Sequence, residues 1–296
     1  MSAEEIFLPG DLVQTDPALA LLRLAALSAG PSGQLEKETL DLMFERVKSG
    51  ALAKLDPVVV WPELVRGLMA PKPSNMIRAL HVSGALRVLL PGVAAVFGVP
   101  QIADDPPQVD IGQHLLRVLD ETARCDAPLA VRFAALVMHV GKYDSPPEHL
   151  PVHYRHVERG APRIEALCER YGVPDDCREL ALLALAECER VHRVGTVRAG
   201  PVAALLSRVG AFERPGRFRQ LMMLCACDYG AYGQRRAEDY LKAALLEIAL
   251  QACQNVDATK LRIEHLSTGE SDALHDARAA AIAAAFRSER WSSGSE

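Results

Sequence analysis

VRFAALVMHVGKYDSPPEHLPVHYRH, residues 131–156, decides how this 296-residue chain reads. Its opening run, Val131 to Val140, is apolar, rich in Ala and Leu, and follows Pro128, which suits a buried helix ending near His139. A Gly141-Lys142 step and a turn at Pro146-Pro147 come next. His153 and His156 then lie three residues apart, and His156 opens a further helix that runs to Tyr171 and stops at Gly172-Val-Pro174. The spacing of the two histidines is by itself a weak signal, and His114 and His139 read equally as structural histidines satisfied within the fold; His114 upstream and Asp228 downstream are available as partners.

Outward from this stretch the chain reads as all-α. Hydrophobic residues make up 49% of it but aromatics only 5%, so Leu, Ala and Val must build the core. Asp16-Pro17 and Asp56-Pro57 are N-cap and first-turn pairs for helices to Ala29 and through Leu68. Lys37–Ser49 carries Leu40, Met43, Phe44 and Val47 on one face. Pro73 opens another helix, and Gly84–Pro91 brackets a short one. Beyond the midpoint, helices are expected over Asp110–Cys125, Pro128–Val140, His156–Tyr171, Pro174–His192, from Pro201, from Pro215, over Ala237–Ala252 and over Asp272–Arg287. No stretch alternates apolar and polar residues as a strand does. Phe97–Pro107 is rich in Gly, Pro and Asp and reads as a loop. It divides a helical domain of residues 1–100 from a second of 101–296.

Bulk properties narrow the function. A net charge of −5 argues mildly against a dedicated nucleic-acid protein. Seven cysteines form no CxxC pair, Cys225-x-Cys227 lacks zinc-ribbon spacing, and buried reduced thiols are the plain reading. The acidic start MSAEEIFLPG does not resemble a signal peptide, and no apolar stretch reaches the ~20 residues of a membrane span. A cytoplasmic location with no membrane partner follows as the expectation. Charge is uneven, however. From Arg190 to Arg236 nine arginines face two acids, Glu213 and Asp228, a local +7. Such a zone suits a phosphate-bearing partner, and Arg193, Arg214, Arg217, Arg219, Arg235 and Arg236 are its candidate contacts. Scattered surface arginines are the alternative.

The order of landmarks carries a resemblance. Phe97-Gly-Val-Pro100, Val109-Asp-Ile-Gly-Gln-His114, Val131-Arg-Phe-Ala134, His139, Gly141-Lys142, Pro146-Pro-Glu148, His153, His156 and Asp228 follow one another as in the C-terminal part of bacterial multifunctional CCA-adding enzymes. These are tRNA nucleotidyltransferases with an HD-type phosphohydrolase domain. The likeness extends upstream through Glu38-Thr39-Leu40, Ser49-Gly50-Ala51-Leu52, Trp61 and Gly84-Ala85-Leu86. Downstream it includes Gly269, Leu274, Arg278, Ala281 and Ile282. It covers about Asp16 to Arg290 and implies a neck and body followed by an HD-like helical bundle. His114, His139, His156 and Asp228 match its metal ligands, and Lys142 and His153 match positions beside the phosphate.

Two departures qualify the resemblance. The family's catalytic head bears an Asp-x-Asp that holds two metals, and no such pair occurs here, so CCA addition by this chain alone is not expected. The family's His-Asp-Leu-Gly-Lys reads His139-Val140-Gly141-Lys142, without the bridging carboxylate. Glu187-Cys188-Glu189 also stands where an acid and a further histidine are expected. Asp144 and Glu158 are the nearby acids available to replace the lost one. Lys142 reads first as a solvated lysine completing a helix end, and second as a phosphate contact. A divalent transition metal, nickel or zinc, would be held weakly; magnesium would not, since it wants several oxygens. The leading expectation is thus a degenerate relative that binds tRNA, other RNA or a nucleotide. The alternatives are a phosphohydrolase or phosphodiesterase with a rebuilt metal site, and a regulatory or structural partner of another protein such as a separate head subunit.

Overall fold

The computed structural model describes residues 16–31, 33, 35–104, 106–194, 198–256 and 270–292. The expected lead-in before Asp16 and the landmark Gly269 lie outside these residues. Within them the chain is all-α, with a single two-stranded hairpin.

The first six helices are α1 (Pro17–Leu27), α2 (Lys37–Lys48), α3 (Pro57–Leu68), α4 (Pro73–Val82), α5 (Ala85–Leu89) and α6 (Pro91–Ala94). Asp16 caps α1 through the Leu19 amide at 2.9 Å, and Asp56 caps α3 through Val58 at 3.0 Å, each with proline in the first turn. Helix α1 packs on both α3 and α4.

The Pro- and Asp-rich segment expected to be a loop holds the hairpin, β1 (Pro100–Ile102) antiparallel to β2 (Gln108–Asp110). Three-residue strands are too short to show alternation. The family landmarks around them have local structural reasons. Asp110 caps α7 (Ile111–Arg124) through the Gln113 amide and also accepts from the Gly98 amide, where φ is +85°. A Cβ on Gly112 would meet the Phe97 ring at 2.4 Å. These contacts fix α7, and with it His114, against the hairpin.

The second half contains α8 (Leu129–Val137), α9 (His156–Tyr171), α10 (Asp175–Arg193), α11 (Ala199–Arg208), α12 (Pro215–Gly230), α13 (Leu241–Gln254) and α14 (Glu270–Ser292). Every residue of α8 from Ala130 to Val137 is buried, with α7, α10 and α12 packed around it. Buried Arg132 on α8 donates to the carbonyls of Ala127, Leu68 and Ala70, tying this bundle to the end of α3. The buried apolar residues form one continuous core from Ala18 to Phe286, across the division expected at residue 100. Among the described residues no helix is long and apolar enough to cross a membrane.

Candidate functional site

The decisive stretch folds around one close approach. Helix α8 ends at Val137, and His139 sits in the following turn, closed by the Lys142 amide on the His139 carbonyl at 2.9 Å. A Cβ on Gly141 would lie 1.8 Å from the His156 carbonyl oxygen, so only glycine lets the start of α9 come this near. His156 is thereby brought beside the His139 turn, and its Nδ1 meets the His153 carbonyl at 2.8 Å. His153 itself bridges the Ser145 hydroxyl at 2.8 Å and the Pro100 carbonyl at 2.9 Å, joining this turn to the hairpin.

A cavity of about 1130 Å³ opens over these residues. His139, His153, His156, His192 and Asp228 line it, with Lys142, Glu189 and four tyrosines, Tyr154, Tyr229, Tyr232 and Tyr240. His114 lies fully buried behind Asp228. Its Nε2 is 2.8 Å from Asp228 Oδ1, and Tyr232 stacks on its ring at 4.0 Å. The other carboxylate oxygen is 3.0 Å from His192 Nε2, and His192 Nδ1 is 3.0 Å from the Tyr240 hydroxyl. Asp228 therefore joins histidines from two other helices, and both its oxygens have partners.

The electrostatics follow from burial and pairing. Burial would raise Asp228, but His114 and then His192 outweigh it and hold the carboxyl well below its usual range. Burial alone would lower His192, yet its neighbours Cys188 and Asp228 push it up to about 10. The Cys225 contact and burial carry the Cys188 thiol well above its usual value. His139 goes the other way: burial, then Lys142, carry it well below 6.5, so it stays neutral. Its Nε2 is buried without a hydrogen-bond partner, as is Nδ1 of His114. Burial also lowers His153 and His156.

The expected metal set does not share a point. Among the described residues, the three that bring one donor atom each within 4.8 Å of one another are Cys188, His192 and Cys225; His114, His139, His156 and Asp228 form no such group. His139 offers an unpartnered nitrogen, which suits a nitrogen-seeking ion. Of the carboxylates lining the cavity, Asp228 is engaged by His114 and His192, and Glu189, 3.8 Å from His156 Nε2, by Lys142. Val140, at the position expected to lack the aspartate, is buried and lines a separate apolar cavity with Leu89, Pro91, Gly92 and Val137. Asp144 does not replace it. That carboxylate is bound by Arg163 at 2.6 Å and Arg159 at 3.0 Å, and Arg163 holds it below its usual value. Glu158 does border the cavity, paired with Arg155.

Other expectations are corrected. Lys142 is not solvated: it is 4% exposed, with Nζ 2.8 Å from Glu189 and 3.1 Å from the Gln101 side-chain oxygen. Burial would raise Glu189, but Lys142 outweighs it and keeps the acid ionised. The basic zone is largely neutralised by acids outside its own segment. Arg214 and Arg217 meet Glu179, Arg219 meets Glu247, and Arg236 meets Glu238. Of the six arginines expected to contact phosphate, Arg193 and Arg235 line the cavity, paired with Glu189 and Asp104. A histidine the sequence reading did not single out, His192, lies one helical turn beyond Cys188 and meets Asp228. The spacing Cys188-x-x-x-His192 on a helix is the sequence signal that both face one way.

Known proteins resemble the chain along nearly its whole length. It is 39% identical over 279 residues to the Multifunctional CCA protein of Polaromonas naphthalenivorans, a match covering 92% of this chain and 65% of that protein. The protein of the same name from Cupriavidus necator is 40% identical over 277 residues, covering 93% and 67%. That from Methylobacillus flagellatus is 39% identical over 275 residues, covering 92% and 66%. The chain thus spans about two thirds of the length of these relatives. No family model matches it.

Proposed function

Since this chain belongs to the multifunctional CCA protein family, we propose that its cavity binds the phosphates and bases of tRNA, or a nucleotide, without HD-type hydrolysis. The observation that carries the reading is Val140. It places a hydrocarbon in the core where the hydrolytic site needs its bridging carboxylate, while Asp228 is engaged by two histidines and Glu189 by Lys142. A metal-bound water must lose a proton to become a nucleophile, and the carboxylates around the ion support that step. A carboxylate already shared by His114 and His192, and another held by Lys142, give little such support.

The cavity wall favours binding instead. Lys142, Arg155, Arg193 and Arg235 stand on it, and Tyr229, Tyr232 and Tyr240 offer aromatic groups beside them. The arginines there are 34% to 76% exposed and paired with acids. Such surface pairs are worth at most ~1 kcal/mol, so a phosphate can displace them. Nucleic-acid phosphates are met by Arg and Lys, and bases by aromatic stacking. No Asp-x-Asp occurs in the sequence, so this reading assigns no CCA addition to the chain by itself.

Fluorescence anisotropy tests it. The full chain, treated with chelator, is titrated against labelled tRNA with and without its CCA end. Binding that weakens with salt and falls at least threefold in Arg193→Gln/Arg235→Gln is expected. Absence of binding at low salt, or affinity unchanged by that double substitution, overturns the reading.

A further inference from the structure

Helix α10 sends Cys188 and His192, one turn apart, toward Cys225 on the facing α12. Cys188 Sγ is 3.5 Å from Cys225 Sγ and 3.6 Å from His192 Nε2. All three donor atoms lie within 4.8 Å of one another. The two separations from Cys188 are close to those around a tetrahedral ion. With Zn–S near 2.3 Å and Zn–N near 2.0–2.1 Å, two sulfurs sit about 3.8 Å apart and a sulfur and nitrogen about 3.5–3.6 Å apart. We propose that Cys188, His192 and Cys225 form a site for a thiophilic divalent ion of the zinc type, with its fourth coordination position open to the cavity.

Position and chemistry support the open fourth place. Cys188 and His192 line the cavity, whereas Cys225 is fully buried behind them. Three protein donors and one free position make an open site, to which water or a phosphate oxygen from the cavity can bind. Two sulfurs and an imidazole select zinc-like ions over magnesium or calcium. Tyr240 already meets His192 Nδ1 and would orient the ring once Nε2 binds the ion.

Charge and protons balance. Two thiols lose their protons to solvent, and the His192 imidazolium loses the Nε2 proton now shared with Asp228. The proton on Nδ1 stays and donates to the Tyr240 oxygen. The two thiolates offset the ion's two charges. Binding at Nε2 therefore breaks the His192–Asp228 link and leaves Asp228 Oδ2 without this partner, while Oδ1 keeps His114. Ion and hydrogen-bond network compete for one nitrogen.

The site goes beyond the binding reading, and its test uses no RNA, so the two fail separately. Untagged full-length chain, reduced and stripped of metal, is titrated with cobalt(II) under anaerobic conditions. The expected result is one equivalent of cobalt producing a thiolate-to-metal charge-transfer band, with visible absorption typical of tetrahedral coordination, and bleaching when zinc is added. Cys188→Ser and Cys225→Ser each weaken binding at least tenfold. Cys125→Ser, at a different thiol, leaves it unchanged. If a serine variant fails to fold by circular dichroism, the wild-type spectrum and the Cys125→Ser control still decide. No charge-transfer band in the folded wild type overturns the site, as does a band that persists in Cys188→Ser and Cys225→Ser or is lost in Cys125→Ser.

Discussion

Substituting Asp228→Asn in chelator-treated protein asks whether the His114–Asp228–His192 network supports the fold without a metal. The carboxylate side chain is 9% exposed and accepts from two histidines at 2.8 and 3.0 Å. Asparagine keeps the shape but loses the charge and turns an NH2 group toward one of the rings. Removing one member of a buried ion pair costs about 3–5 kcal/mol. His192 is 27% exposed and partly hydrated, which lowers the expected loss to roughly 2–4 kcal/mol. At ~2–4 °C per kcal/mol for a chain of this size class, Tm falls by roughly 4–16 °C. The pH profile has a definite sign. Asp228, lowered from 3.8, contributes stability above that value and loses it as pH falls through its folded-state pKa. His192, raised from 6.5 to about 10, contributes fully below 6.5 and loses the contribution as pH rises toward 10. The wild-type advantage is thus greatest between about pH 4 and 6.5 and declines in alkali. Urea unfolding across pH measures it, and a double-mutant cycle with His192→Gln gives a coupling of about 1–3 kcal/mol. A loss under about 0.5 kcal/mol, a coupling near zero, or destabilisation seen only when metal is present refutes the reasoning.

Three further outcomes follow from the same geometry. Replacing Val140 by Asp-Leu restores the family's spacing and should raise nickel affinity in isothermal titration; unchanged affinity would show that the scaffold no longer directs that position to His139. Gly141→Ala drives a methyl into the His156 carbonyl and should destabilise by at least 1–3 kcal/mol. Gly216→Ala, on a helix with nothing within 4 Å, should be neutral or stabilising by up to about 1 kcal/mol. Comparable Tm values for the two alanine variants would contradict this. Lys142→Met strips Glu189 of its buried cation and should bring that carboxyl back up toward 4.5, read by NMR titration. A Glu189 titration that does not move would show that another group holds it.

Helices were legible because their signals are local. Asp16-Pro17, Asp56-Pro57 and Asp110 act as caps within a few residues of themselves, and His156–Tyr171 begins and ends where its sequence says. Pro100–Ile102 and Gln108–Asp110 were not, because three residues cannot display a period. His114 and Asp228 are 114 residues apart, and only the order of family landmarks suggested a meeting. His192 lies beyond Glu187–Glu189, where the order of landmarks places a histidine, and only the helical repeat from Cys188 points to it. The basic zone misled for a related reason. A sum over Arg190–Arg236 cannot see Glu179, Glu247, Asp104 and Glu238 arriving from elsewhere in the chain. Lys142 was expected at a solvated helix end because Gln101 and Glu189, which bury it, are distant in sequence.

Hydrolysis of a 2′,3′-cyclic nucleotide by the unmodified chain with excess nickel tests the central claim most directly. With Val140 in the apolar core and Asp228 held by two histidines, no turnover above nickel in buffer is expected. Turnover that is nickel-dependent and abolished by His139→Gln would contradict it, and would mean that an acid other than Asp144 has rebuilt the hydrolytic site.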